Sequence, residues 1–255
     1  MEIELSGIII KTPEQIEGIK NAGRVLAQLY AELKKYIRPE INTLQIDAYA
    51  DRFIKKRGGS PTFKSVPGYR HATCIAINSE VVHGIPKKEK TVKRGDIVSV
   101  DCGVTLNGYI GDSTMTYIMP GATDETKKLV KVTKKCLDLG IAECVPGKRL
   151  GDIGAVIQEY AESNGFSVVT EYVGHGTGIN LHEEPAVPHY GTRGEGIELR
   201  EGMVLAIEPM INQGVAKTKT LSDGWTVVTM DGKLSCQFEH TVAITAQGPK
   251  ILTKL

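Results

Sequence analysis

RGDIVSVDCGVTLNGYIGDSTMTY, residues 94–117, holds two apolar runs on either side of Asn107 and Gly108. Asn-Gly is well suited to a tight two-residue hairpin turn, whose residues both take positive φ. The first run (Ile97, Val98, Val100) and the second (Tyr109, Ile110, Met115, Tyr117) then form paired strands, and each strand carries one aspartate. With Asn107 and Gly108 as the turn, Asp101 lies across from Thr114 and Asp112 is its diagonal neighbour. A register slid by two residues would make the aspartates direct partners. Both registers leave them on one face, because side chains alternate with period two. Like charges at roughly 5 to 8 Å on one sheet face repel each other. A bound cation would offset that repulsion.

The chain has 255 residues, enough for a sizeable core in one or two domains. Its 31 basic and 30 acidic residues create no field strong enough to hold nucleic acid or an anionic membrane, so neither is expected as a partner. Cys74, Cys102, Cys136, Cys144 and Cys236 are odd in number and scattered, with no CxxC pair. That pattern argues against a disulfide framework or a zinc knuckle and fits a reducing cytoplasm. The opening MEIELSGIIIKTPEQ is acidic and its apolar run covers only Ile8 to Ile10, so it is expected to be neither a signal peptide nor a membrane span.

Upstream of the hairpin, a short strand ahead of Thr12 is expected to lead into a helix. Its start is marked by a capping box, with Thr12 as N-cap, Pro13 at N1 and Gln15 at N3. Ile16, Ile19, Leu26, Tyr30, Leu33 and Ile37 follow at helical spacing. A second helix from about Thr43 buries Ile46, Ala50 and Phe53 and ends at Gly58 and Gly59. Strands are expected over Thr73–Ile77 and Val81–Val82.

Downstream of the hairpin the same plan returns with a constant offset of 107 residues. A helix begins at Thr123, and Pro146 matches Pro39, Ile153 matches Ile46, Tyr160 matches Phe53 and Gly165 matches Gly58. GDIVSVD (residues 95–101) falls on GMVLAIE (residues 202–208), so Asp101 maps onto Glu208. A longer excursion through Trp225 then leads to QFEHTVAI (residues 237–244), which supplies Glu239. The pattern predicts an α+β chain, one catalytic domain over residues 1–255, built from similar halves at about 12–120 and 121–255. Each half gives an acid pair to a shared centre.

Taken singly, any of these acids would as readily be a solvated outer-face residue. Four of them in apolar strands are harder to solvate: Glu208 sits in MVLAIEPMI and Glu239 in CQFEHTVAI, and an unpaired buried carboxylate is costly. His175 in GHGTG is the expected fifth member, its flanking glycines leaving the imidazole unobstructed. Two aspartates, a histidine and two glutamates suit two divalent first-row ions bridged by carboxylates about 3.5 to 4 Å apart. Cobalt, manganese, iron and zinc all fit such a set.

The order and spacing of Asp101, Asp112, His175, Glu208 and Glu239 closely resemble the ligand set of the type I methionine aminopeptidases. NSEVVHGIP, GDIVSVDCG, YIGDSTMTY, YVGHGTG, HEEPAVPHYG, GMVLAIEPM, DGWTVVT and FEHTVAI are similar to that family's blocks, from about Lys11 to Leu255. The resemblance implies the pita-bread fold, with two pseudo-symmetric halves around a dinuclear metal site. It also implies removal of the initiator methionine from nascent polypeptide N-termini whose second residue is small. Asp101 would hold one ion, Asp112 and Glu239 would bridge both, and His175 and Glu208 would complete the other shell.

By the same resemblance His83 lies near the substrate amide and His182 contacts the carbonyl, while Glu208 shuttles a proton. Tyr69, Cys74 and Trp225 would line an apolar slot for the methionine side chain. Leu181 departs from the family, standing where many members carry an aromatic residue. His71, His189 and His240 are expected to serve packing or surface roles, with His240 facing away from Glu239 by strand alternation. The chain is expected to act as a monomer. Lys87, Lys88, Lys90, Lys217 and Lys219 are the basic residues that could touch a ribosome.

Overall fold

The computed structural model describes residues 7–255. Helix α1 (Pro13–Tyr36) starts where its capping box places it, with Thr12 accepting from the Gln15 amide and the Gln15 side chain accepting from the Thr12 amide. Asn42 and Gln45 form a second such box at the start of α2 (Thr43–Lys56). Both helices pack on a sheet of β1 (Ser60–Pro61), β2 (Cys74–Ile77), β3 (Ile97–Leu106) and β4 (Tyr109–Ile118). β3 is central: β4 pairs along one edge, and β2 and β1 follow each other along the opposite edge.

Alternation along β3 decides what each face does. Val98, Val100, Cys102 and Val104 bury themselves against Leu26, Leu29, Leu33, Ile46 and Ile54 of the helices. Asp101, one step out of phase, must therefore face the other way. Asn107 (φ 52°) and Gly108 (φ 83°) make the two-residue turn, which sets Asp101 opposite Thr114 and Gly103 opposite Asp112. The aspartates are diagonal neighbours, the first of the two registers open to this hairpin.

The second half runs α3 (Asp124–Ala142), capped by Thr123, then α4 (Leu150–Ser163) and β5 (Ser167–Val168). β6 (Gly174–Gly176), β7 (Glu183–Val187), β8 (Val204–Ile207), β9 (Met210–Asn212), β10 (Thr218–Thr220) and β11 (Val227–Thr229) follow. β12 (Ser235–Gln237), β13 (His240–Thr245) and β14 (Gly248–Ile251) end the chain. Strands pair in the orders β12-β9-β5 and β14-β13-β8-β6-β7, with β10 and β11 as a separate ribbon.

The offset of 107 residues holds in the coordinates. It carries α2 onto α4 and β1 onto β5, residue for residue. It also carries the Ser60↔Thr105 pair onto Ser167↔Asn212, and the isolated Asn42↔Thr91 bridge onto Arg149↔Glu198. Structural correspondence is thus tighter than the few shared residue types.

Two departures have physical causes. Continuous β3 is matched by two strands, β8 and β9, broken at Glu208 and Pro209, where proline offers no amide to a ladder. The partner strand is broken as well, between β12 and β13, and the same register holds on both sides (Ile207↔His240, Met210↔Gln237). That register sets Glu208 directly opposite Glu239, so the second half adopts the alternative pairing of its acids.

The strand expected at Val81–Val82 is absent, replaced by a single bridge from Glu80 to Val228. Asn78 (φ 57°) and His83 (φ 56°) take left-handed backbone on either side, which a strand cannot accommodate. The short strand expected ahead of Thr12 lies partly outside the described residues, within which Ile8 makes one bridge to Glu184. No helix among the described residues is long and apolar enough to cross a membrane.

Candidate active site

The two halves meet along β4 and the β12–β13 segment. Glu239 donates its amide to the Thr114 carbonyl (3.0 Å), and Ser113 Oγ donates to the Glu239 carbonyl (2.7 Å). Thr241 Oγ1 accepts from the Asp112 amide (3.0 Å) and donates to its carbonyl (2.7 Å). Thr116 extends this seam to the Gln237 carbonyl. These bonds bring an acid from each half together: Asp112, Glu239 and His175 of β6 each offer a ligand atom, all within 4.8 Å of one another. Glu208 Oε1 lies 3.5 Å from His175 Nε2, and Asp101 lines the same cavity.

Neighbours occupy some of the carboxylate oxygens. Thr114 Oγ1 donates to Glu239 Oε2 (2.9 Å) and Gln237 Nε2 donates to Glu208 Oε2 (3.0 Å). Asp101 Oδ1, Asp112 Oδ1 and Glu239 Oε1 are buried with no hydrogen-bond partner among the described residues. A buried oxygen left so costs the full desolvation of that group. Unpartnered oxygens of three hard carboxylate ligands, in a cavity shared with an imidazole, fit divalent cations. Without a cation to oppose them, burial and then mutual repulsion push the carboxyls of Asp101, Glu208 and Glu239 well above their ordinary range, and burial raises Asp112. His175 is pushed down to about 4 by burial and by His182, so at neutral pH it is an unprotonated imidazole able to ligate.

Two more histidines border this cluster. His182 stands at the mouth with its ring 4.4 Å from that of His175. His83 holds a left-handed φ rare for a residue with a side chain, its ring edge-on to Tyr172, and burial lowers its pKa. Beside the cluster, Tyr69, Cys74 and Trp225 wall an apolar slot, with the Tyr69 and Trp225 ring centroids 4.9 Å apart. Leu181 packs on this group too, so an aliphatic side chain completes the rim. Cluster and slot share one cavity of about 410 Å³.

Several contributors carry little sequence signal. Phe63 and Val66 join the slot, and Thr114 and Gln237 hold carboxylates. Strand alternation could have found the last two, since Thr114 faces Asp101 and Gln237 precedes Glu239 by two. His189, within the HEEPAVPHYG block but expected only to pack or face solvent, is fully buried and its Nε2 accepts the Glu208 amide at 3.0 Å, a supporting contact. Lys11 forms a buried ion pair with Glu183, whose other oxygen takes the Ile179 and Asn180 amides (both 2.7 Å), fixing the turn that presents His182. His240 turns away to Thr253 (2.8 Å) and His71 to Asp47 (3.3 Å).

An acid cluster fit for divalent cations, between pseudo-symmetric halves of a pita-bread fold and beside an apolar slot, defines a metal-dependent peptidase. Comparison with known proteins narrows the class: the pattern of metallopeptidase family M24 matches residues 17–246. A Bacillus subtilis relative, methionine aminopeptidase 1, is 51% identical over 248 residues, covering 97% of this chain and 100% of the relative. The solved methionine aminopeptidase of Thermotoga maritima superposes with a TM-score of 0.95 at 47% identity, covering 97% of this chain and 100% of that one. The Pyrococcus furiosus prolidase superposes with a TM-score of 0.78 at 25% identity, and this chain spans 66% of its length. The chain belongs to family M24 and, within it, to the methionine aminopeptidases.

Proposed function

We propose that this enzyme removes the amino-terminal methionine from nascent proteins and peptides whose second residue is small, by metal-dependent hydrolysis of the first peptide bond. The observation that carries the reading is the meeting, in one cavity, of unpartnered buried carboxylate oxygens with an apolar slot. In this reading Asp101, Asp112, His175, Glu208 and Glu239 would hold the divalent ions. Such ions supply water acidified to near neutral pH and polarise the scissile carbonyl.

The chain's own groups do the rest. Glu208, with Oε2 held by Gln237, takes the proton of the attacking water and returns it to the leaving amine. His182, at the mouth, donates to the developing oxyanion, and His83 orients the amide nitrogen. Tyr69, Cys74 and Trp225 receive the thioether, which is flexible enough to fill a slot of mixed shape. Cobalt, manganese, iron and zinc are the ions such carboxylate-rich sites take, and activity measured ion by ion on stripped protein identifies the effective one.

The substrates are nascent polypeptide N-termini. Of the basic residues considered for a ribosome contact, Lys87 and Lys90 are already paired with Asp223 and Glu80, which leaves Lys88, Lys217 and Lys219 exposed, Lys219 on β10 and Lys217 just before it. Five free, buried cysteines support a cytoplasmic setting.

Hydrolysis of a Met-X-Ser-Lys series, with X as Gly, Ala, Ser, Val, Leu, Lys and Glu, tests the substrate assignment. Cleavage should be rapid for Gly, Ala and Ser and poor for Leu, Lys and Glu. Norleucine should nearly replace methionine at the first position and alanine should not, because one group in an apolar slot is worth about 1–3 kcal/mol. Equal cleavage of the Leu and Ala members, or preferred release of residues preceding proline, would turn the assignment toward the prolidase-like branch of the fold. His182→Ala is expected to lower kcat by about 10² to 10³ at unchanged metal content. Metal content falling in step with activity would instead make His182 a ligand.

A further inference from the structure

Part of the slot's wall has no regular structure of its own. Phe63, Val66, Tyr69 and Cys74 all line the cavity, yet between the 3₁₀ turn Thr62–Ser65 and the first residue of β2 the chain forms neither helix nor strand. An irregular segment holding a selective surface must be fixed by something outside itself.

That something is a carboxylate from α2. Asp47 is 6% exposed, and its Oδ1 accepts three hydrogen bonds, from the amides of Ala72 (2.8 Å) and Thr73 (2.9 Å) and from Thr73 Oγ1 (2.9 Å). Its Oδ2 faces His71 Nδ1 at 3.3 Å. The contacts pass on to the slot, because Tyr69 Oη donates to the Thr73 carbonyl (2.8 Å) and the Tyr69 ring packs on Trp225. Cys74, next along the chain, is the register partner of Asp101. A buried carboxylate collecting several donors makes charge-assisted bonds, stronger and more directional than neutral ones. α2 is itself anchored in the core by Ile46, Ala50 and Ile54, so the carboxylate stands on a rigid base.

We infer that Asp47 is the positioning residue for first-residue selectivity: it holds the Tyr69–Cys74 segment against Trp225 and thereby sets the shape of the methionine slot, without touching substrate or the acid cluster. The inference rests on the methionine-releasing function proposed above. Asp47→Asn keeps size but removes the negative charge, so the bonds to Ala72 and Thr73 become neutral ones and an NH₂ replaces the oxygen that faces His71.

The test compares wild-type, Asp47→Asn and Thr73→Val proteins with Met-Ala-Ser, Nle-Ala-Ser and Leu-Ala-Ser, together with metal content, thermal melting and fluorescence. Trp225 is the chain's one tryptophan, so its emission reports the slot whether or not a peptide is cut. Asp47→Asn should raise KM for Met-Ala-Ser about tenfold with kcat within about threefold, narrow the preference for methionine over leucine, and shift Trp225 emission. Thr73→Val, which removes one of the three donors, should give a smaller change in the same direction. Metal content should not move.

Wild-type KM and unshifted emission in folded Asp47→Asn overturn the inference, as does a fall in kcat and metal content at constant KM. If Asp47→Asn does not fold, Thr73→Val decides, and wild-type KM with unchanged emission there overturns it equally. Failure of the wild-type chain to release methionine would sink the underlying function instead, while the emission shift would still report whether Asp47 shapes the slot.

Discussion

Glu208→Gln is expected to leave a folded, soluble protein whose kcat is lower by about 10² to 10⁴, the usual contribution of a positioned acid–base group. Glutamine matches glutamate in shape and can still meet Gln237 and keep its backbone amide on His189, so the break between β8 and β9 has no reason to rearrange. The loss is chemical: an amide neither accepts a proton at neutral pH nor brings negative charge to face His175 at 3.5 Å. Single-turnover and steady-state rates on Met-Ala-Ser, with melting as a control on folding, measure the effect. More than about a tenth of wild-type kcat would remove Glu208 from the proton path.

Stripping the protein of divalent cations should abolish turnover and lower its thermal stability, and the second effect should depend on pH with a definite sign. In the cation-free chain the carboxyls of Asp101, Asp112, Glu208 and Glu239 are raised by burial, so the folded state binds protons more tightly than the unfolded one. Their contribution to stability is full below the ordinary carboxylate range near about 4. It is lost as pH rises through the folded values, that of Asp112 lying at about 7. Cations oppose the charge that appears over this window, so the melting gap between loaded and stripped protein should widen from pH 5 to pH 7.5. A gap of equal size at both pH values would mean that these carboxylates do not hold the ions.

The strongest sequence signals were local and geometric. Asn107-Gly108 marked a turn, alternation put Asp101 and Asp112 on one face in either of two registers, and the structure takes the one with Asp101 opposite Thr114. The repeat was legible because the apolar and glycine positions that shape each half survive at one offset. The breaks at Glu208-Pro209 and Phe238-Glu239 were harder to see, since each lies inside an apolar run that reads as continuous strand. Val81–Val82 misleads for the opposite reason, as β-branched residues in a segment whose ends are turned by left-handed Asn78 and His83. His189, Asp47 and the Lys11–Glu183 pair act over long sequence separations, and no periodicity or spacing encodes such contacts.

In one half the hairpin closes with two residues, Asn107 and Gly108; in the other, the corresponding strands are joined by residues 213–234, which fold into the β10–β11 ribbon and deliver Trp225 to the cavity. The seam and its acids belong to the duplicated plan, whereas this ribbon is an addition to one copy. The Trp225 wall of the slot is therefore written in text separable from the acids, whereas Cys74, also lining the slot, pairs with Asp101 itself. Exchange, lengthening or trimming of the ribbon could reset which first residue is accepted while the acids keep their register, giving a lineage a way to explore new substrates without reinventing its chemistry.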